Sequence, residues 1–82
     1  MKEDKKQVEF CIRWIAEFTT KTNEINKSIS SYGYKHLVEN WCGEYISNDS
    51  FKLAARSSGL MIEPLAEIEN ELYNLSIIDK SR

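Results

Sequence analysis

Eighty-two residues are enough for one compact core, so a single domain spanning residues 1–82 is expected. Eleven basic and thirteen acidic residues leave a net charge of −2, which argues against a general nucleic-acid binder driven by bulk charge. With 41% hydrophobic residues, the chain has enough apolar material to fold without a metal or a disulfide framework. Cys11 and Cys42 sit at apolar helical positions with no Cys-x-x-Cys pair, and the reading is two buried, reduced thiols. His36 is the only histidine and cannot complete a zinc site of normal composition, so no metal and no cofactor are expected. No apolar run approaches the ~20 residues of a membrane span. The start has no signal-peptide apolar region, which places the protein in the cytoplasm.

The first element reads as a long helix over residues 3–25. Val8, Cys11, Ile12, Ile15, Phe18 and Ile25 recur at helical spacings, and Glu9 to Arg13 is a favourable pair four residues apart. Phe10 and Trp14 widen the stripe and suggest a second contact surface, even a dimer seam. Residues 26–33 form a polar linker. A second helix over residues 34–46 follows, carrying Leu37, Val38, Trp41, Cys42 and Tyr45 toward the core. Gly43 inside it would cost roughly 1 kcal/mol relative to alanine.

Ser47-Asn48-Asp49-Ser50 is a helix-start signal, because each side chain can accept from the free N–H groups that follow. A third helix over residues 49–58 would bury Phe51, Ala54 and Ala55 and end at Gly59 as a left-handed cap. Pro64 suits the first turn of a fourth helix, in which Leu65, Ile68, Leu72 and Leu75 are spaced by three, four and three. With no strand pattern to set against these, the expected fold is all-α, a small bundle of about four helices with a helical hairpin.

Three features compete as sites. Tyr32, Tyr34, Lys35 and His36 concentrate aromatic and cationic side chains of the types favoured at binding hot spots. His36 can meet Glu39 three residues on, but no nucleophile or oxyanion partner accompanies them, so catalysis is not expected. The second feature runs from Phe51 to Asn70. Ala55 and Gly59 occupy the tight positions of a hairpin that resembles the helix-turn-helix of small repressors. Its reading helix, however, would offer Glu63, Glu67, Glu69 and Glu71, a surface that repels DNA. That acidic row is itself the third feature, because Glu63, Glu67 and Glu71 at intervals of four could mimic spaced phosphates.

The block Tyr34, Lys35, His36, Glu39, Gly43, Tyr45, Ile46, Ser47, Asn48, Phe51, Ala54 and Ala55 resembles a core found in short uncharacterised proteins of plasmids, prophages and other mobile elements. In those relatives a glycine usually follows the Ser-Asn pair, where this chain has Asp49. The resemblance implies a mobile-element setting and no enzymatic activity. Small proteins of that setting often bind a host or defence component, as anti-CRISPR proteins do. The expected function is therefore a non-enzymatic inhibitor that binds a protein partner, such as a CRISPR effector or another nucleic-acid-handling complex. Its partner-binding residues would be Tyr32, Tyr34, Lys35, His36, Glu63, Glu67 and Glu71. A helix-turn-helix transcriptional regulator is the alternative, and a self-associating homodimer ranks third.

Overall fold

In the computed structural model, which describes residues 4–65 and 69–78, the chain runs helix, strand, helix, helix, strand, strand. The elements are α1 (Lys5–Phe18), β1 (Thr19–Asn26), α2 (Ser31–Cys42), α3 (Asn48–Ser57), β2 (Ile62–Pro64) and β3 (Glu71–Ile77). The three strands form one antiparallel sheet in the order β1-β3-β2. The fold is thus α+β, and the all-α four-helix bundle expected from periodicity is corrected.

The first helix stops seven residues earlier than its apolar spacing suggested. Asp4 caps its start by accepting from the Lys6 and Gln7 N–H groups at 2.9 and 3.2 Å. At the other end the Thr19 hydroxyl donates to the Ile15 carbonyl at 2.6 Å. Thr19, Thr20 and Thr22 are branched at Cβ and favour extended backbone, so no proline or glycine is needed to end the helix. Four residues of α1 are buried, Val8, Cys11, Trp14 and Ile15. Trp14 is therefore core, and only Phe10 of the expected second surface stays partly open.

The expected fourth helix is replaced by a β-hairpin. Ile62, Glu63 and Pro64 pair with Tyr73, Leu72 and Glu71, and the Leu65 N–H donates to the Asn70 carbonyl at 3.0 Å. Five successive residues of β3, Glu71 to Leu75, are all buried. A central strand covered on both faces shows a continuous buried run rather than alternation, which is why leucines at 72 and 75 imitated a helix. Pro64 lies on the edge strand, where its missing N–H breaks no ladder bond.

Strand β1 pairs with β3 from Thr19↔Ile77 to Lys21↔Leu75, then shifts register to Asn26↔Tyr73. Residues 22–25 therefore bulge opposite Asn74. The buried Asn74 side chain serves that bulge. It donates to the Thr22 carbonyl at 2.9 Å and accepts from the Met61 N–H at 2.7 Å.

The core is closed by one aromatic ring from each of α1, α2, α3 and β3. Trp14, Tyr34, Phe51 and Tyr73 meet at centroid distances of 5.5 to 6.4 Å, with Tyr34 and Phe51 stacked at 11°. Beside this cluster Glu71, 4% exposed, gathers three elements. Its carboxylate accepts from both Arg56 guanidinium nitrogens (2.6 and 3.2 Å) and from the Tyr73 hydroxyl (2.8 Å). Its N–H donates to Ser31 Oγ of α2 at 3.1 Å. Burial alone would raise the Glu71 pKa. The Arg56 and Tyr73 hydrogen bonds outweigh it and hold the carboxyl below its usual 4.5.

A group whose folded pKa is depressed adds stability above its unfolded pKa and loses it as pH falls through the folded one. The Glu71 contribution should therefore be complete at neutral pH and fade below about pH 4.5. Arg56→Met leaves that carboxylate buried without its partner. Half of the Arg56 side chain is exposed, so the loss should be about 2 kcal/mol rather than the larger figure of a fully buried pair. Urea midpoints at pH 7 and pH 3 check this, with the gap between wild type and variant narrowing at the lower pH.

Candidate functional site

Helix α2 begins at Ser31, three residues before its expected start, and ends where Gly43 takes the left-handed conformation at φ 76°. Gly43 is therefore the cap and not a costly interior glycine. The face of α2 that is buried carries Ser31, Tyr34, Lys35 and Val38. Trp41 (41% exposed) and Tyr45 (67% exposed) are consequently open to solvent, the reverse of the core roles expected for them. Tyr34, expected at a contact surface, is fully buried in the aromatic cluster.

What remains outside is a compact face built around Lys35. Its ammonium lies 5.1 Å from the Tyr32 ring centroid and 5.0 Å from that of Tyr45, within cation–π range of both. The lysine is almost entirely covered, while Tyr32 remains half exposed. A charge this buried needs a partner, and Glu39 supplies one at 3.4 Å.

Glu39 organises the rest of the face. One carboxylate oxygen accepts from Lys35 and from the Ile46 N–H at 2.9 Å, and the other meets His36 Nδ1 at 2.9 Å. A carboxylate can only accept, so Nδ1 is the protonated nitrogen of that contact. Burial pushes the Glu39 pKa upward, but the Ile46 N–H, His36 and Lys35 bonds together hold it below its usual value. His36 completes the row by standing edge-on to Tyr32 at 4.5 Å between ring centroids.

The structure thus brings Tyr32, Lys35 and His36 together with Glu39 and Tyr45, which periodicity did not nominate as contact residues. The spacings of Lys35 to Glu39 and His36 to Glu39 were the available signal. The acidic residues do not join them. Glu63 is exposed on β2, Glu71 is buried against Arg56 on β3, and Glu67 lies outside the described residues. With Glu63 and Glu71 on strands, they do not share the helical face expected for them. The hairpin expected over residues 51–70 is corrected in the same way, since Gly59 closes α3 but leads into β2.

Other chemistry is sparse. Among the described residues no group of three or more His, Cys, Asp or Glu side chains is placed to hold a metal ion. No helix among them is long and apolar enough to cross a membrane. Both cysteines are free, and burial, with Cys42 nearby, pushes the Cys11 thiol up to about 12. No family model, curated protein or solved structure matches the chain.

The placement of Tyr34 has a direct test. Its hydroxyl is buried with no hydrogen-bond partner, so Tyr34→Phe removes an unsatisfied polar group and keeps the ring. The variant should be as stable as wild type or up to about 1 kcal/mol more stable, read as the urea midpoint. A contact role at the surface would instead leave stability untouched and weaken partner binding.

Proposed function

We propose that this protein is a non-enzymatic contact module of phage or mobile-element origin. It acts in the cytoplasm by binding and inhibiting a host defence or nucleic-acid-handling protein, of which a CRISPR effector is the model target. The observation that carries the reading is the Tyr32–Lys35–Tyr45 arrangement. Two exposed tyrosines are held over one buried ammonium, with His36 at their edge. Tyrosine is among the residues that dominate binding energy at protein interfaces. Rings already held in place lose less freedom on binding than free ones. The mechanism is steric, because the acidic helix that would have acted as a phosphate mimic is absent.

The resemblance to mobile-element proteins supports this setting, since its core includes Lys35, His36, Glu39 and Tyr45 of the same face. The face has no nucleophile or metal cluster at its centre, and its one acid–base pair is tied up in positioning. These features favour binding over turnover.

A second reading rests on the order of elements. Helix α2, the joint from Gly43 to Ser47, α3 and the β2–β3 hairpin follow one another in the order of a helix-turn-helix with a hairpin at its flank, in place of the Phe51–Asn70 hairpin expected from sequence. In that frame α3 would enter the major groove, with Lys52 and Arg56 one turn apart. The charges around it are unfavourable. Arg56 is committed to Glu71, Lys52 donates to the Glu69 carbonyl at 2.9 Å, and Asp49 occupies the first turn. DNA binding is therefore the alternative and not the conclusion.

Replacing both exposed tyrosines, Tyr32→Ala with Tyr45→Ala, should lower affinity for a captured target by at least tenfold while circular dichroism stays unchanged. Equal inhibition of a CRISPR interference assay by the folded double variant and the wild type would remove this face from the account. Anisotropy with a labelled mixed-sequence duplex at about 50 and 200 mM salt separates the two readings. Contact-module action expects no binding at either salt, whereas salt-sensitive binding would put the helix-turn-helix reading first.

A further inference from the structure

The outer side of α1, remote from the Lys35 face in composition and role, carries an arrangement that a simple solvated helix does not require. Two grooves run along it, of about 410 and 520 Å³, and both are lined by Arg13. Phe10 and Ile12 line the first, Phe18 and Trp41 the second. Trp41 stands edge-on to both phenylalanines, at 6.4 Å from Phe10 and 5.7 Å from Phe18, and is 41% exposed. The apolar strip is flanked by Lys6, Glu9, Arg13 and Glu17, all exposed and all spaced to share one helical face.

The order of those charges is self-complementary in one orientation only. When two copies of α1 are laid antiparallel about a two-fold axis near Cys11, Glu9 of each copy faces Arg13 of the other. A parallel alignment would set Glu9 against Glu9 and Arg13 against Arg13. Both alignments use the same patch on both sides, as a closed two-fold interface requires, so the charges are what select the antiparallel one.

We infer that the occupant of this face is a second copy of the chain. The result is an antiparallel homodimer across α1, sealed by Phe10 and Trp41 and set in register by Glu9 and Arg13. A helix of 14 residues is about 21 Å long. The patch is thus smaller than the ~800 Å² per partner of a standard complex. Association should accordingly be weak, sensitive to salt and visible at high protein concentration.

Sedimentation equilibrium on the full chain between about 10 µM and 1 mM tests this. Wild type should move from the 9.6 kDa monomer toward twice that mass, and less so at high salt. Glu9→Arg and Arg13→Glu, each on an exposed position and checked for folding by circular dichroism, should remain monomeric alone. Mixed in equal amounts they should associate, because every pair across the axis is again opposite in sign. A wild type that stays monomeric throughout overturns the inference. So do single variants that associate like wild type, or a mixture that does not recover.

Discussion

A carboxylate removed from water must recover nearly all of its solvation from the protein around it, and Glu71 does so by drawing three elements together. Arg56 comes from α3, the Tyr73 hydroxyl from the same strand, and Ser31 from the first turn of α2 binds the backbone beneath. This geometry fits a strand and does not fit the amphipathic helix that the leucine spacing suggested. Once β3 is central, β1 and β2 have a template on either side, and α3 reaches it through Phe51 against Tyr73 and Arg56 against Glu71.

The same constraint sets the exposed chemistry. Ser31 accepts from the Glu71 N–H, and the side of α2 that this bond turns toward β3 also carries Tyr34 and Val38 into the core. Lys35 is then pulled below the surface, where Glu39 and two tyrosine rings hold it. The candidate binding face is thus a product of the packing beneath it. A lysine one position later, where His36 is exposed, would project freely and leave Tyr32 and Tyr45 without a shared anchor, and one position earlier would enter the aromatic core in place of Tyr34.

Much of the helical part was legible in the chain. Ser47 caps α3 and Gly59 ends it as local rules require, and the alanines at 54 and 55 mark its buried side. The failures share one physical cause. Threonines 19, 20 and 22 continued an apolar period into residues that prefer extended backbone, and only the presence of β3 as a partner resolves the choice. Residues 71–75 are buried on both faces, and such a run carries no alternation to separate strand from helix. The concentration of tyrosine, lysine and histidine around α2 was visible, whereas the division into buried Tyr34 and exposed Tyr45 was not, because Tyr34 faces the core from α2 and Tyr45 lies past the Gly43 cap that ends it.

Strands Ile62–Pro64 and Glu71–Ile77 pair antiparallel, anchored by the buried Glu71 carboxylate. Nuclear Overhauser spectra of the isotope-labelled protein test that pairing most directly. The account expects extended-backbone shifts over residues 71–77, with cross-strand contacts from Tyr73 to Ile62 and from Leu75 to Lys21. Helical shifts across residues 65–75, with sequential amide contacts and no cross-strand signal, would contradict it.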